Sequence, residues 1–134
     1  MFRVESLAEL AELAEIGEPL YVRYSRGPDA DAAEVSIDHE SGCRLPGLSV
    51  NPLDPEPWWN RPVQHWVARQ LRQYVHLAEK DRYAWVLTGA VVGRGPDCEP
   101  LLTSIRPVAR LTDQVLDEAA RVYRQVFDVG DDGT

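Results

Sequence analysis

Tyr83-Ala-Trp-Val-Leu-Thr-Gly-Ala-Val-Val92 is the run of sequence that most clearly asks to be a strand. Its aromatic and β-branched residues suit a pleated surface, and alternation of period two sets Trp85, Leu87 and Val91 against Ala84, Val86 and Val92. Gly93-Arg94-Gly95-Pro96-Asp97 follows with turn chemistry, and residues 99–109 are expected to return beside the first strand. A central hairpin is therefore the frame into which the remaining segments must fit.

Upstream of it, Asn60 is placed to cap a helix running to about residue 79, with Pro62 tolerated in the first turn because that amide is unpaired anyway. At helical spacing Val63, Val67, Gln70, Leu71, Tyr74 and Ala78 share the inward face, while His65, Arg69, Arg72 and His76 share the opposite one. Further back, Ser6 and Glu9 form a capping-box pair ahead of the stripe Leu7, Leu10, Ala11, Leu13 and Ala14, and Gly17 supplies a stop. Residues 20–25 read as a strand with Leu20, Val22 and Tyr24 on one side and Tyr21 and Arg23 on the other. Arg26-Gly27-Pro28-Asp29 and the Ala/Asp stretch after it read as a loop, residues 34–38 as a short strand, and residues 45–51 as extended chain. Residues 51–62, with Pro52, Pro55, Pro57 and Pro62, read as an ordered loop. Downstream of the hairpin, Thr112 is placed to cap a last helix carrying Val115, Leu116, Ala119, Val122, Tyr123 and Val126 at helical spacing. With no strand-helix alternation of the doubly wound kind, the expected fold is α+β: three helices with a mixed or mainly antiparallel sheet of about four to five strands. One globular domain over residues 1–130 and a frayed tail at 131–134 are expected.

Composition narrows the function classes. The chain has 134 residues, 44% hydrophobic and 27% charged, which is enough to close one core and far from a disordered composition. Its longest apolar run falls short of the roughly 18 to 20 residues that a membrane span needs. Two cysteines outside any CxxC spacing, Cys43 and Cys98, fit a reduced cytoplasm and read as small packing residues. A formal charge of -8 disfavours nonspecific nucleic-acid binding, which depends on neutralising phosphates. An anionic small molecule or a protein is the expected partner class.

No phosphate loop, HExxH, GxSxG elbow or GxGxxG after a strand is present. Gly93-Arg94-Gly95 is followed directly by Pro96, which removes an amide that a phosphate cradle would use, so it reads as a hairpin turn. Asp38-His39-Glu40 lacks a supporting His or Cys and reads as a solvated loop, so no metal is expected. The stripe of His65, Arg69, Arg72 and His76 is either a solvated helix face or a surface for an anion or acidic partner. Trp58 and Trp59 either stack on a ligand ring or pin the proline-rich loop to the core.

Through Leu20-Tyr-Val-Arg-Tyr-Ser-Arg-Gly27, Leu45-Pro-Gly-Leu-Ser-Val-Asn-Pro-Leu53 and Trp85-Val-Leu-Thr-Gly89, the chain resembles a family of uncharacterised hypothetical proteins from GC-rich bacteria, which brings no activity with it. Its order of elements is also similar to compact ADP-ribosyltransferase-like domains. That resemblance implies NAD as cofactor, Arg23 or Arg26 on its pyrophosphate, Ser49 bracing the binding strand, and Glu99 on the nicotinamide ribose. It implies that Arg23 or Arg26, Ser49 and Glu99 converge on one cleft. A noncatalytic ligand-binding or protein-binding domain is the alternative.

Overall fold

A computed structural model of the chain describes residues 2–16, 18–33, 47–74, 81–96 and 98–127. In chain order the elements are β1 (Phe2–Val4), α1 (Leu7–Ala14), β2 (Tyr21–Ser25), α2 (Pro28–Ala33), β3 (Leu48–Ser49), β4 (Asn51–Pro52), α3 (Val63–Leu71) extended by a 3-10 turn at Arg72–Tyr74, β5 (Tyr83–Arg94), β6 (Pro100–Leu111) and α4 (Asp113–Phe127). The fold is α+β, with four helices and a mixed six-stranded sheet among the described residues. β1 runs parallel to β6, and the other pairings are antiparallel. Among the described residues no helix is long and apolar enough to cross a membrane.

The β5–β6 hairpin is the spine. Its register slips between Val86 and Leu87, between Thr88 and Ala90, and between Val91 and Gly93. Each slip is a bulge that sharpens the local twist. The middle one is built from Gly89, where a Cβ would sit 2.8 Å from the Thr103 carbonyl oxygen, and from Ser104 at φ 52°. These bulges break the simple alternation expected beyond Leu87: Val91 and Val92 are both about half exposed, at 48% and 47%, rather than on opposite faces. Pro107, which cannot donate to a ladder, lies between the stretch of β6 that pairs β3 and the stretch that pairs β1, where the outer edge has no strand partner among the described residues.

The coiled hairpin lets one short segment close the sheet on itself. β3 is hydrogen-bonded to β6 at Leu102 and Leu101, whereas β4, one residue further on, is bonded to β2 at Tyr21 and Val22. Since β6 and β2 flank β5 on its two sides, residues 48–52 bridge the outer edges of both. Tyr21, Leu48, Val50, Trp85, Leu87 and Leu102 fill the inside of this ring, with Tyr83 and Ile105 packed against them.

The other face of the sheet carries the helices. Val22, Ala84, Val86, Ala109 and Leu111 from the strands meet Leu7 and Leu10 of α1, Trp66, Val67 and Leu71 of α3, and Val115 and Ala119 of α4. The alternation expected in β2 is present, with Leu20, Val22 and Tyr24 toward the helices and Tyr21 inside the ring. In α1 the Ser6 hydroxyl accepts the Glu9 amide at 3.1 Å, and the Glu9 carboxylate reaches back to the Glu5 amide at 3.0 Å. Glu118 of α4 accepts the Leu7 amide at 2.8 Å, placing a negative charge on an unpaired N-terminal donor of α1.

Other boundaries differ from the sequence reading. β1 was not expected, and it forms because Phe2, Arg3 and Val4 find Ala109, Arg110 and Leu111 as partners far along the chain. The stretch after Gly27 is the short helix α2 rather than a loop. Asn60 does not cap α3: Pro62 occupies the cap position, with no side-chain capping bond. Thr112 precedes α4 and its carbonyl accepts the Val115 and Leu116 amides, but its hydroxyl is buried without a partner. Gly17, the strand expected at residues 34–38, the end of the helix expected to reach residue 79, and the tail at 131–134 lie outside the described residues.

Leu53 is fully buried against the helices and its amide bonds the Leu20 carbonyl at 2.9 Å, so it anchors the segment that closes the ring. Leu53→Ala is expected to lower unfolding stability by about 2–5 kcal/mol in urea titrations. Ile16→Ala, at a side chain 73% exposed, should stay within about 0.5 kcal/mol of the parent.

Candidate functional site

Arg23 leaves β2 on the ring side and is held there by charge. Its Nε donates to Asp31 Oδ2 at 2.8 Å, its Nη2 to Asp31 Oδ1 at 3.3 Å, and its Nη1 to the Ser49 carbonyl at 2.8 Å. Asp31 comes from α2, so the helix missed in the sequence is what delivers the carboxylate. Ser25, two residues along β2 and on the same side, donates to Asp31 Oδ2 at 2.6 Å. The Ser25 hydroxyl in turn accepts the Trp85 indole at 3.0 Å and the Gly27 amide at 3.1 Å. Gly27 is required at this point: its φ is +110°, and a Cβ would collide with the Tyr83 hydroxyl.

Beyond the Arg23–Ser49 bond, Ser49, Asn51, Pro52, Arg94, Cys98, Glu99 and Pro100 line a cleft of about 450 Å3. The Ser49 hydroxyl donates to Glu99 Oε2 at 2.9 Å. The Glu99 carboxylate lies directly over Gly95, where any Cβ would overlap it. Gly95 and Glu99 are tied by the turn itself, through the Gly95 amide on the Glu99 carbonyl at 2.8 Å. Arg94, the last residue of β5, donates to the Cys98 carbonyl at 3.3 Å, and Cys98 is exposed at φ 63°. Asn51 is oriented by donating its amide to the Tyr74 hydroxyl at 2.8 Å.

Electrostatics link the cleft to its flank. Burial raises the Tyr21 phenol above its ordinary value, the Asp54 carboxylate adds to the rise, and the Arg94 guanidinium opposes it. Burial likewise lifts the Asp54 carboxyl, partly offset by a bond from the Leu20 backbone, and Asp54 Oδ1 is buried without a partner. Burial pushes Tyr74 up to about 12, against smaller opposing effects from Asn51 and Arg23.

The residues singled out in the sequence fall into three places. Arg23, Ser49 and Glu99 form one bonded chain, but Arg23 is committed to Asp31 and the Ser49 carbonyl and does not line the Glu99 cleft. Arg26 pairs with exposed Asp81 at 3.0 Å and lines a separate small cavity. Trp58 and Trp59 do not line the cleft either. Trp59 packs on the core and donates to the Pro62 carbonyl at 3.2 Å, while Trp58, 64% exposed, stacks edge-on against Trp59 and Trp66 with both centroids at 5.9 Å. Arg69 lies over the Trp58 and Trp66 rings, and Arg72 over Tyr123 at 4.7 Å, so these arginines of the helix stripe cover aromatic rings of the protein itself. His65 is half-buried with Nδ1 lacking a partner, and His76 lies outside the described residues. Cys98 is exposed rather than a packing residue, and Cys43 and Asp38-His39-Glu40 lie outside the described residues. Among the described residues no group of three or more His, Cys, Asp or Glu side chains could hold a metal. Asn51 and Arg94 were missed as site residues. The signal for Arg94 was its position at the end of the first hairpin strand, beside a turn that carries Glu99.

The chain belongs to DUF6098, a family of unknown function whose profile matches residues 1–132. No curated protein and no solved structure matches it.

Tyr74 gives a handle on the site's scaffold. In the unfolded chain its phenol ionises near pH 10, while in the fold it stays neutral to about 12, so stability falls as pH rises through that interval. The expected loss approaches roughly 3 kcal/mol at 1.4 kcal/mol per unit. Urea titrations across pH 9–12 should show this alkaline limb in the parent protein, and Tyr74→Phe should flatten it.

Proposed function

We propose that this member of DUF6098 is a binding domain for a small polyhydroxylated molecule that carries an anionic group, a class that includes ribose phosphates and NAD. The observation that carries the reading is the Ser49–Glu99 pair in a cleft of about 450 Å3 with Arg94 on the same wall. A cleft of that size falls in the range of small-molecule sites. Glu99 accepts hydroxyl donors of a sugar, Ser49 and Asn51 supply adaptable donors and acceptors, and Arg94 offers a planar fork to a phosphate or carboxylate. All four are set at strand ends or in the tight turn joining β5 to β6, which limits the side-chain entropy lost on binding.

A second reading is ADP-ribosyl transfer from NAD, supported by the bonded order Arg23, Ser49, Glu99. In it Glu99 would hold the nicotinamide ribose and stabilise the cationic sugar as nicotinamide departs. Arg94, facing the cleft, is better placed for the pyrophosphate than Arg23, whose charge Asp31 already meets.

The test is calorimetric titration with ribose 5-phosphate, ADP-ribose and NAD. Binding by at least one is expected, with Glu99→Gln and Arg94→Gln each weakening it tenfold or more. Gly95→Ala, which drives the Glu99 carboxylate from its place without a change of charge, should do the same. No heat from any of the three would refute the reading. Nicotinamide release from NAD, lost in Glu99→Gln, would favour the transferase over simple binding.

A further inference from the structure

Charge is sorted by segment on the helical side of the molecule. Residues 4–22, which include α1, carry five glutamates and no lysine or arginine. Residues 57–78, which include α3, carry three arginines, two histidines and no aspartate or glutamate. α1 and α3 pack against each other on the same face of the sheet, so their exposed sides both turn away from it. We propose that these exposed sides form the interface of a two-fold dimer, with α1 of one copy laid against α3 of the other. None of the residues invoked for this surface lines the Glu99 cleft.

Within one copy the charges on these two sides go unmet. Glu12, Glu15, Arg69 and Arg72 are all exposed, and none of the four has an ion-pair partner among the described residues. Arg69 lies 5.9 Å from the centroid of Trp58 and 5.2 Å from that of Trp66, and Arg72 lies 4.7 Å from that of Tyr123. A ring face orients a guanidinium without cancelling its charge, and the N–H donors at its edge stay available to a carboxylate. On α1, Glu18 is paired with Arg106 and Glu9 turns back to the Glu5 amide. Glu12 and Glu15 are therefore the carboxylates placed to meet Arg69 and Arg72.

Each strip also has an apolar anchor. The two most exposed large hydrophobic side chains among the described residues are Ile16, just past the end of α1, and Trp58, in the loop ahead of α3. Trp58 is braced edge-on by Trp59 and Trp66, so covering it costs little side-chain entropy. Tryptophan and arginine are the side chains most enriched among those that dominate interface energies. A second copy satisfies both strips at once. Because the acidic and basic strips sit side by side on one face, a two-fold rotation brings each onto the other twice and the assembly closes.

The experiment is analytical ultracentrifugation of the full chain over a wide concentration range. A reversible monomer–dimer equilibrium is expected, tighter in roughly 0.01 M salt, where the Debye length is about 30 Å, than in 1 M, where it is about 3 Å. Arg69→Glu/Arg72→Glu and Glu12→Arg/Glu15→Arg should each weaken the dimer by roughly tenfold or more, since like charges then face each other. Ile16→Ala, which leaves the stability of the single copy unchanged, should weaken it as well. A chain carrying both reversals should regain the dimer, as should an equimolar mixture of the two reversed chains, and that recovery excludes misfolding as the cause of the losses. A parent protein that stays monomeric, or a dimer indifferent to either reversal, overturns the proposal. So does growth beyond a dimer, failure of the combined reversal to restore it, or a monomer that instead captures poly-glutamate through Arg69 and Arg72.

Discussion

A carboxylate taken out of water organises the functional end of this molecule. Asp31 has a side chain only 5% exposed, and leaving such a group unpaired would cost several kcal/mol, so its partners are dictated rather than optional. Arg23 answers its charge, Ser25 fills a remaining lone pair, and each of those partners is tied onward: Arg23 to the Ser49 carbonyl, Ser25 to the Trp85 indole. Four separate stretches of chain thus have their relative positions set by one ion pair. The small cavity is lined by the pair itself, and the larger cleft includes Ser49, whose carbonyl Arg23 holds.

Division of labour between the faces of the sheet follows from the hairpin. In β5 Ala84 and Val86 face the helices while Trp85 and Leu87 face the ring, and in β6 Val108, Ala109 and Leu111 meet the helices while Leu102 and Ile105 belong to the ring. Apolar burial against the helices supplies most of the driving force for folding. The ring's rim, with less to bury, is where polar groups gather: Ser49, Asn51, Arg94 and Glu99 all stand at strand ends or in a turn. Functional residues placed on loops held by a rigid frame are a common arrangement. Here the frame is a strand that continues into the site.

What the sequence disclosed depended on range. Patterns with a fixed local period were legible: the stripe of α1, the two-sided alternation of β2, and the inward Val67 and Leu71 of α3 with Tyr74 of the 3-10 turn after it. Features set by distant partners were not. Nothing within Phe2–Val4 announces a strand, because its pairing lies more than a hundred residues away. The bulges of β5 and β6 overrode the alternation beyond Leu87 and so altered which side chains face outward. Within the site, Arg23, Ser49 and Glu99 were chosen for their order in the chain, and the fold does join them. The sequence could not say that Asp31 would engage Arg23, because residues 28–33 carry no apolar stripe to reveal a helix. Nor could it say that Arg69 and Arg72 of the stripe would lie over aromatic rings, since cation-π contacts depend on where Trp58 and Tyr123 arrive.

The Leu7 amide held by Glu118 across 111 positions has a consequence for the order of assembly. β1 rests on the last residues of β6, and α1 packs on α3 and α4 and takes part of its N-terminal capping from α4. During synthesis the first fifteen residues therefore wait without their partners until most of the chain has emerged. Closing so long a loop is slow relative to local contacts. Through that interval the apolar side of α1 has only itself and its neighbours to hide against. Its charged neighbours, Glu5, Glu9, Glu12, Glu15 and Glu18, suit that wait: they keep a nascent segment with nowhere yet to dock soluble and apart from its copies.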